Sequence, residues 1–410
     1  MKALFIHQNF PGQFRHFANH LAQQPGTEVL AIGRDTAPGM KGVRLLRYRP
    51  HRVPGKETHP YVRSFEDAVL HGQQVLRILL KLKRQGYQPD AVLAHPGWGE
   101  TLYVKLAFPD TKLIHYTEYY YRLEGASAGF DPEFPLDLES AALISSRNAL
   151  HLLNIEQCDV GVTPTHWQKS LHPVAYQDKV QVIHEGVDTG LLGPDPAAFV
   201  DLPNGKRFRA GDPVVTYVAR NLEPHRGFHC FMRALPELLK AHLGCQVIVV
   251  GGDDVSYGER PKDAPNWREK MLRENPIDLG RVHFLGKVSY DIYRRILQVS
   301  AVHVYLTYPF VLSWSMLEAM ASGCLLVASD TTPVREVVRH GENGWLFGFF
   351  DAKALVGRVL HALSAPPEAA ALRVNARQTA LAYSTEKGIE GYSSFLNYRD
   401  GGSPPVSRKK

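Results

Sequence analysis

A short apolar run, a polar loop and an amphipathic segment follow one another repeatedly along this chain, and that order most constrains its fold. Lys2–His7 is strand-like, and after a loop Phe14, Phe17, Ala18 and Leu21 recur at the i, i+3, i+4, i+7 spacing of one helical face. Glu28–Ile32, Ala91–Ala94 and Leu113–His115 read as further strands, and Glu139–Leu153 as a helix. Alternation of this kind predicts a parallel sheet covered by helices on both faces. The pattern restarts at Val180–Ile183, and the stretch from Val187 to Asp212, rich in Gly, Pro and Asp and without periodicity, reads as an interdomain linker. Beyond it, Val214–Ala219, Gln246–Val250, Val282–Leu285, His303–Leu306 and Leu325–Ala328 form a second series of apolar runs. The expected fold class is α/β: two doubly wound, Rossmann-like domains whose strand ends face a common cleft. The expected domains are residues 1–186 and 187–383. A C-terminal helix over about 384–400 packs back on the first domain, and 401–410 is a disordered tail.

A chain of 410 residues is too long for one compact core. No stretch approaches the roughly 18 consecutive apolar residues of a membrane span. The opening MKALFIHQNF is too short in its apolar part for a signal peptide and reads as a first buried strand. Cys158, Cys230, Cys245 and Cys324 lie far apart without pairing or metal-ligand spacing, so a reducing, cytoplasmic setting is the expectation. The formal charge of +6 and pI near 9.0 raise nucleic acid as a partner. Basic residues are spread along the whole chain, with only Ser407-Arg408-Lys409-Lys410 as a run, and no basic-aromatic module is present. Nucleic acid is therefore excluded, while weak attraction to an anionic membrane surface, peripheral at its inner face, or to phosphorylated substrates fits the charge.

Three strand–loop–helix units carry candidate chemistry. In His7-Gln8-Asn9-Phe10-Pro11-Gly12-Gln13, Gly12 removes a side chain where backbone N–H groups at a helix start favour an anion; an ordinary tight turn is the plain alternative. In Arg220-Asn221-Leu222-Glu223-Pro224-His225-Arg226-Gly227, two guanidinium groups flank a loop that opens the helix Phe228–His242. Each can hold diphosphate oxygens by paired hydrogen bonds, unless these are incidental surface charges. In the third, Tyr308–Gly323, Glu318 sits among Met316, Leu317, Ala319 and Met320. Such a carboxylate needs donors, either ribose hydroxyls or a structural arginine. Toward the N-terminus, His95 and then His115 with Glu118 end strands, and Tyr119-Tyr120-Tyr121 offers rings for stacking. These three are candidate catalytic residues, although a lone histidine is commonly structural. No metal is expected: Asp253-Asp254 lacks further ligands, and no His-x-x-x-His pair has a third partner. Gly280–Val288 has glycine spacing wrong for a P-loop and Val288 where a hydroxyl is required.

The order Arg220…Arg226-Gly227, Val282-His283-Phe284-Leu285-Gly286, Leu317-Glu318-Ala319-Met320-Ala321-Ser322-Gly323, Arg335-Glu336 and Gly341-Glu342-Asn343-Gly344 resembles the GT-B glycosyltransferases of family 4. His184-Glu185-Gly186-Val187-Asp188 is similar to that family's domain junction. His7–Gln13 and His95-Pro96-Gly97-Trp98-Gly99-Glu100 resemble its bacterial polysaccharide-type N-terminal domain. The resemblance implies a retaining enzyme that needs no metal or other cofactor and takes a nucleotide-diphosphate sugar, UDP-linked as the commonest guess. A hydroxyl of a glycan or lipid-linked saccharide would be the acceptor. It implies that Arg220 and Arg226 hold the diphosphate, Glu318 the ribose, and backbone near Gly286 and Val288 the base. Ser313 and Trp314 N–H groups would meet the phosphates, with Gly12 closing on them. One departure stands out: Phe310 occupies the position where the family has a sugar-contacting glutamate. Rival readings are a silent GT-B-like binding or scaffold protein and a GT-B-fold sugar-nucleotide epimerase; a phosphorylase would need a pyridoxal-phosphate lysine motif, which is absent.

Overall fold

The computed structural model describes residues 1–396. The tail expected over 401–410, and the end of the helix expected over 384–400, lie outside the described residues. The N-terminal half holds β1 (Lys2–Ile6), β2 (Glu28–Arg34), β3 (Arg44–Tyr48), β4 (Ala91–Ala94), β5 (Lys112–Tyr116), β6 (Val160–Thr163) and β7 (Val180–Val182), a parallel sheet in the order β3-β2-β1-β4-β5-β6-β7. Leu4 and Ile6 face one core and Ala3 and Phe5 the other, which is why these strands are apolar without alternation. Leu4, Phe5 and Ile6 each contribute about 1.5–3 kcal/mol by leaving water.

The segment expected to be a linker is folded. It contains the antiparallel hairpin β8 (Phe199–Asp201) and β9 (Arg207–Arg209), whose Val200 and Phe208 are buried with Ile296 and Val299. Gly and Pro there mark tight turns between short strands, and three residues per strand are too few to show a period. A second parallel sheet follows: β10 (Val214–Asn221), β11 (Gln246–Gly252), β12 (Val282–Phe284), β13 (Val302–Tyr305), β14 (Leu325–Ser329) and β15 (Trp345–Phe347), in the order β12-β11-β10-β13-β14-β15. The periodicity reading also omits β3 and the long helix Pro60–Arg84, which buries Ala68, Val75 and Leu79.

Strand order reverses beside β1 in the first sheet and beside β10 in the second. Ligands of open α/β sheets bind at such points, outside the carboxyl ends of the strands. The loops after β1, β4, β10 and β13 are thereby the ones aimed into the space between the sheets.

The chain crosses between halves twice, side by side. Val187 N–H donates to Tyr383 O (2.9 Å), and Thr385 N–H donates to Val187 O (3.0 Å). The returning helix Thr385–Leu396 then packs Tyr392 against Phe17 of the N-terminal half. Gly186 has φ +90°, and a Cβ there would stand 2.6 Å from Ser384 O. Replacing Gly186 by Ala is expected to cost about 2 kcal/mol or more in urea unfolding, since both strain and clash oppose it. Exposed Gly357, inside the helix Ala352–Leu363 with nothing near its missing Cβ, is the control, and its Ala variant should gain about 0.5–1 kcal/mol.

Candidate active site between the two sheets

A cavity of 340 Å³ opens where the loops after β1, β5, β10 and β13 converge, lined by Gln13, Glu118, Glu185, Arg220, Arg226, Trp314 and Glu318 among others. From the C-terminal half, Arg220 is exposed at the end of β10. Arg226 is only 7% exposed, its Nη1 donating to Thr307 Oγ1 (2.7 Å) and to the Val311 carbonyl (2.9 Å). Its guanidinium lies 5.2 Å from the Tyr257 ring centroid and 5.8 Å from that of Phe310. Among the described residues no carboxylate forms an ion pair with either arginine. A buried cation so held lacks the anion that would offset its desolvation.

The loop between the arginines is braced by Glu223, which is fully buried. Its carboxylate accepts the backbone N–H groups of Ser256, Tyr257 and Gly258 at 3.0, 3.1 and 3.0 Å. That fixes the partly exposed Tyr257 beside Arg226. Gly227, with φ +68°, lets the following helix start against Leu306.

On the other wall, polar side chains form a chain. Asn9 N–H donates to His7 Nδ1 (2.9 Å), so Nε2 carries the proton and donates to Gln13 Oε1 (2.9 Å); Gln13 Nε2 donates to Glu118 Oε1 (3.0 Å). His95 Nδ1 accepts from Gly97 N–H (3.1 Å), and its Nε2 faces Glu118 Oε2 at 3.5 Å. Burial pushes the Glu118 carboxyl upward, but the contacts from His95 and Gln13 outweigh it and hold its pKa below the usual carboxylate value. Burial drives His7 down to about 3, so its ring is neutral.

Two groups tie the walls together. Glu185 accepts from Tyr116 OH (3.0 Å) of the first half and from Trp314 Nε1 of the second. Glu336 accepts the backbone N–H groups of His166 (2.7 Å) and Trp167 (2.8 Å) across the cleft.

The family model described as Glycosyl transferase family 4 group matches residues 25–192, and that described as Glycosyl transferases group 1 matches residues 212–365. The chain is a GT-B glycosyltransferase of family 4. It is similar to the phosphatidyl-myo-inositol mannosyltransferase of Mycolicibacterium smegmatis, 29% identical over 173 residues, which is 41% of this chain and only 40% of that protein. An uncharacterized glycosyltransferase of Methanocaldococcus jannaschii is 23% identical over 78% of this chain and 76% of its own. Among solved structures, sucrose-phosphate synthase from Thermosynechococcus elongatus superposes with TM-score 0.71 at 17% identity, covering 96% and 98% of the two chains. Anabaena HepE in complex with UDP-glucose does so with TM-score 0.68 at 16% identity, covering 97% and 99%.

The glycosyltransferase fold brings Arg220, Arg226, Ser313, Trp314, Glu318 and Glu118 to one cavity, and it relocates other residues singled out from the sequence. His115 does not line it. The strand runs one residue further than the apolar run suggests, and alternation turns Tyr116 to the cleft while His115 is buried behind the sheet, its pKa driven by burial to about 3. His95 stands one layer back, stacked on Trp98. Gly12 is not a lining residue either: its Cβ would strike the His7 ring at 2.4 Å, so glycine is needed for that close approach, and the neighbouring Gln13 reaches the cavity. The Ser313 N–H is taken by Tyr305 OH (2.8 Å). Gly286 and Val288 lie beyond the lining, and the Gly286 carbonyl already accepts from Gly251 N–H (3.0 Å). Glu318 meets tyrosines rather than arginine: Tyr290 OH and Tyr293 OH donate at 3.0 and 2.7 Å. Burial raises its pKa against those bonds.

Sequence reading assigned no role to Glu223, Glu185, Tyr290 or Tyr293. Glu223 sits between the two arginines of its motif and Glu185 in the junction motif His184–Asp188, while Tyr290 and Tyr293 carry no such local signal. Among the described residues, Asp131, Glu133 and His229 form a group of metal-ligand types that their spacing in the sequence hides.

Folding leaves several imidazoles neutral: burial lowers His7, His115 and His303 to about 3 and His172 to about 4. Unfolded, each binds a proton near pH 6.5. Between these values the unfolded chain binds more protons, so stability falls as pH falls, by about 1.4 kcal/mol per pH unit for each imidazole. Urea midpoints should decline from about pH 7 to about pH 5, with a shallower slope in His115→Gln.

Proposed function

We propose that this enzyme moves a sugar from a nucleotide-diphosphate donor to a hydroxyl of a glycan or lipid-linked saccharide, with retention and without a metal. The observation that supports it most is the pair of arginines at the cavity wall that, among the described residues, have no carboxylate ion-pair partner, with the carboxylate of Glu318 in the same lining. The diphosphate lies against Arg220 and Arg226, with the Trp314 N–H at the start of the helix Trp314–Ala321 as a further donor. Glu318 takes the ribose hydroxyls. The acceptor hydroxyl oxygen bonds to the anomeric carbon as the bond from that carbon to the diphosphate oxygen breaks. The bonding pair leaves with the diphosphate, and the hydroxyl proton passes to a diphosphate oxygen on the same face, which gives retention. Glu118, held ionised by His95 and Gln13, stabilises positive charge developing on the sugar. His95 acts through Glu118 as a positioning residue. The arginines supply the charge neutralisation that a metal gives elsewhere.

HepE was solved with UDP and with UDP-glucose, which favours a uridine donor, while the mycobacterial relatives include GDP-mannose-dependent enzymes. Four unpaired, buried cysteines suit a reducing, cytoplasmic setting. No described helix is long and apolar enough to cross a membrane, and the charge of +6 suits peripheral attraction to an anionic inner face.

Calorimetric titration with UDP, GDP and dTDP, with a chelator present, tests the donor site. One nucleotide should bind selectively, and Arg220→Ala and Arg226→Ala should each weaken it about 10- to 100-fold. Absence of binding by all three, in folded protein, removes the donor reading and leaves a silent scaffold. Glu118→Gln should leave that affinity unchanged and lower kcat about 100-fold. An unaltered kcat removes Glu118 from the chemistry.

A further inference from the structure

A second, larger cavity of 810 Å³ adjoins the first, and the two share Tyr257 in their walls. It is built from both halves. One side is the segment between β5 and the helix Leu138–Gln157, contributing Tyr121 and Phe134, together with that helix, contributing Ile144 and Arg147; the other carries Trp267 and Phe310.

The segment that forms the first side is fastened across the cleft. Asp131, 1% exposed, accepts from Tyr308 OH and pairs with His229 Nε2 at 3.0 Å, and Glu133 pairs with Arg233. Phe130 packs on Tyr308 and Phe349, and Phe134 sets its edge against Trp267. The group that resembles a metal site is thus used to hold this wall, through the Asp131 and Glu133 carboxylates and His229 Nε2, while His229 Nδ1 has no hydrogen-bond partner. The opposite wall is held by Glu223, through the amides of Ser256 to Gly258. A cavity braced on both sides by buried carboxylates is a preformed site.

Its chemistry is mixed. Aromatic faces alternate with polar groups, a lining that suits sugar rings, whose C–H faces are apolar and whose edges carry hydroxyls. Four cationic and four carboxylate side chains line it, so no net field selects a polyanion. Its volume is more than twice that of the first cavity and near the upper part of the roughly 300–1,000 Å³ range of whole ligand sites, more than one ring requires. Phe310 stands at the junction, packed with Tyr119 (4.7 Å), His225 (4.7 Å) and Tyr257 (4.8 Å), so the end of an occupant rests on an aromatic platform beside Arg226.

We infer that this second cavity holds the acceptor, and that the acceptor is a neutral oligosaccharide of two or more sugar units whose terminal ring rests on Phe310 and Tyr257. This rests on the first cavity being the donor site.

The test uses the labelled full-length protein, with UDP and GDP present, on an array of printed neutral saccharides from single sugars to hexasaccharides, with phosphorylated saccharides and lipid-linked single sugars alongside. Retention on neutral oligosaccharides, weakened about tenfold in Phe134→Ala and Arg147→Ala while nucleotide affinity is kept, is the expected result. Both positions are solvent-exposed, and retained nucleotide binding reports a folded protein. Retention only on single sugars, only on phosphorylated or only on lipid-linked ones, no retention at all, or retention untouched by both variants overturns the inference. If nucleotide binds and oligosaccharide does not, this inference alone falls; if neither binds, the donor reading falls with it.

Discussion

The doubled crossing between halves is the constraint on which the rest depends. Val187 is hydrogen-bonded to Tyr383 and Thr385, so the outgoing and returning strands of the chain share one ladder. Only glycine fits where these segments touch: a Cβ on Gly186 would meet Ser384 O, and one on Gly388 would meet Glu185 O, both at 2.6 Å. This close backbone contact fixes where Glu185 stands, and Glu185 in turn holds Tyr116 of one wall and Trp314 of the other. The cavity between the sheets is therefore a consequence of how the two passages of the chain pack.

Within that frame the carboxylates and the arginines behave differently. Glu223, Glu185, Glu336 and Asp131 are spent on backbone amides, tyrosines, an indole and a histidine, and they hold loops or join halves. Arg220 and Arg226 face the cavity with no carboxylate paired to them among the described residues. Cations held in place by neutral acceptors and without a paired carboxylate suit the proposed diphosphate leaving group, because the charge that develops there would be met by groups already in place. The cost of burying Arg226 is offset in the free protein by Thr307, the Val311 carbonyl and two aromatic faces.

Much of the fold is legible along the chain because the periods of strands and helices are local. β1, β4, β10, β11, β13 and β14 coincide with apolar runs to within a residue or two, and the run from Arg220 to Gly227 leads from the end of β10 into a helix, as its residues suggest. What fails is also local in cause. The hairpin β8–β9 is too short to show alternation. A one-residue extension of β5 exchanges His115 for Tyr116 on the cleft side. The Ser313 N–H is spent on Tyr305, which no spacing rule announces.

The sequence by itself determined the two wound sheets, the family and the cluster of residues at the carboxyl ends of β10 and β13, since each follows from neighbours a few positions apart. Only the tertiary structure decided which of those groups are free to meet a ligand. Asp131 and Tyr308 are 177 residues apart, and Glu185 and Trp314 are 129 apart. Whether a carboxylate fastens a wall or faces a substrate depends on partners that only packing brings within hydrogen-bond reach, and the chain order carries no period from which such partners can be read.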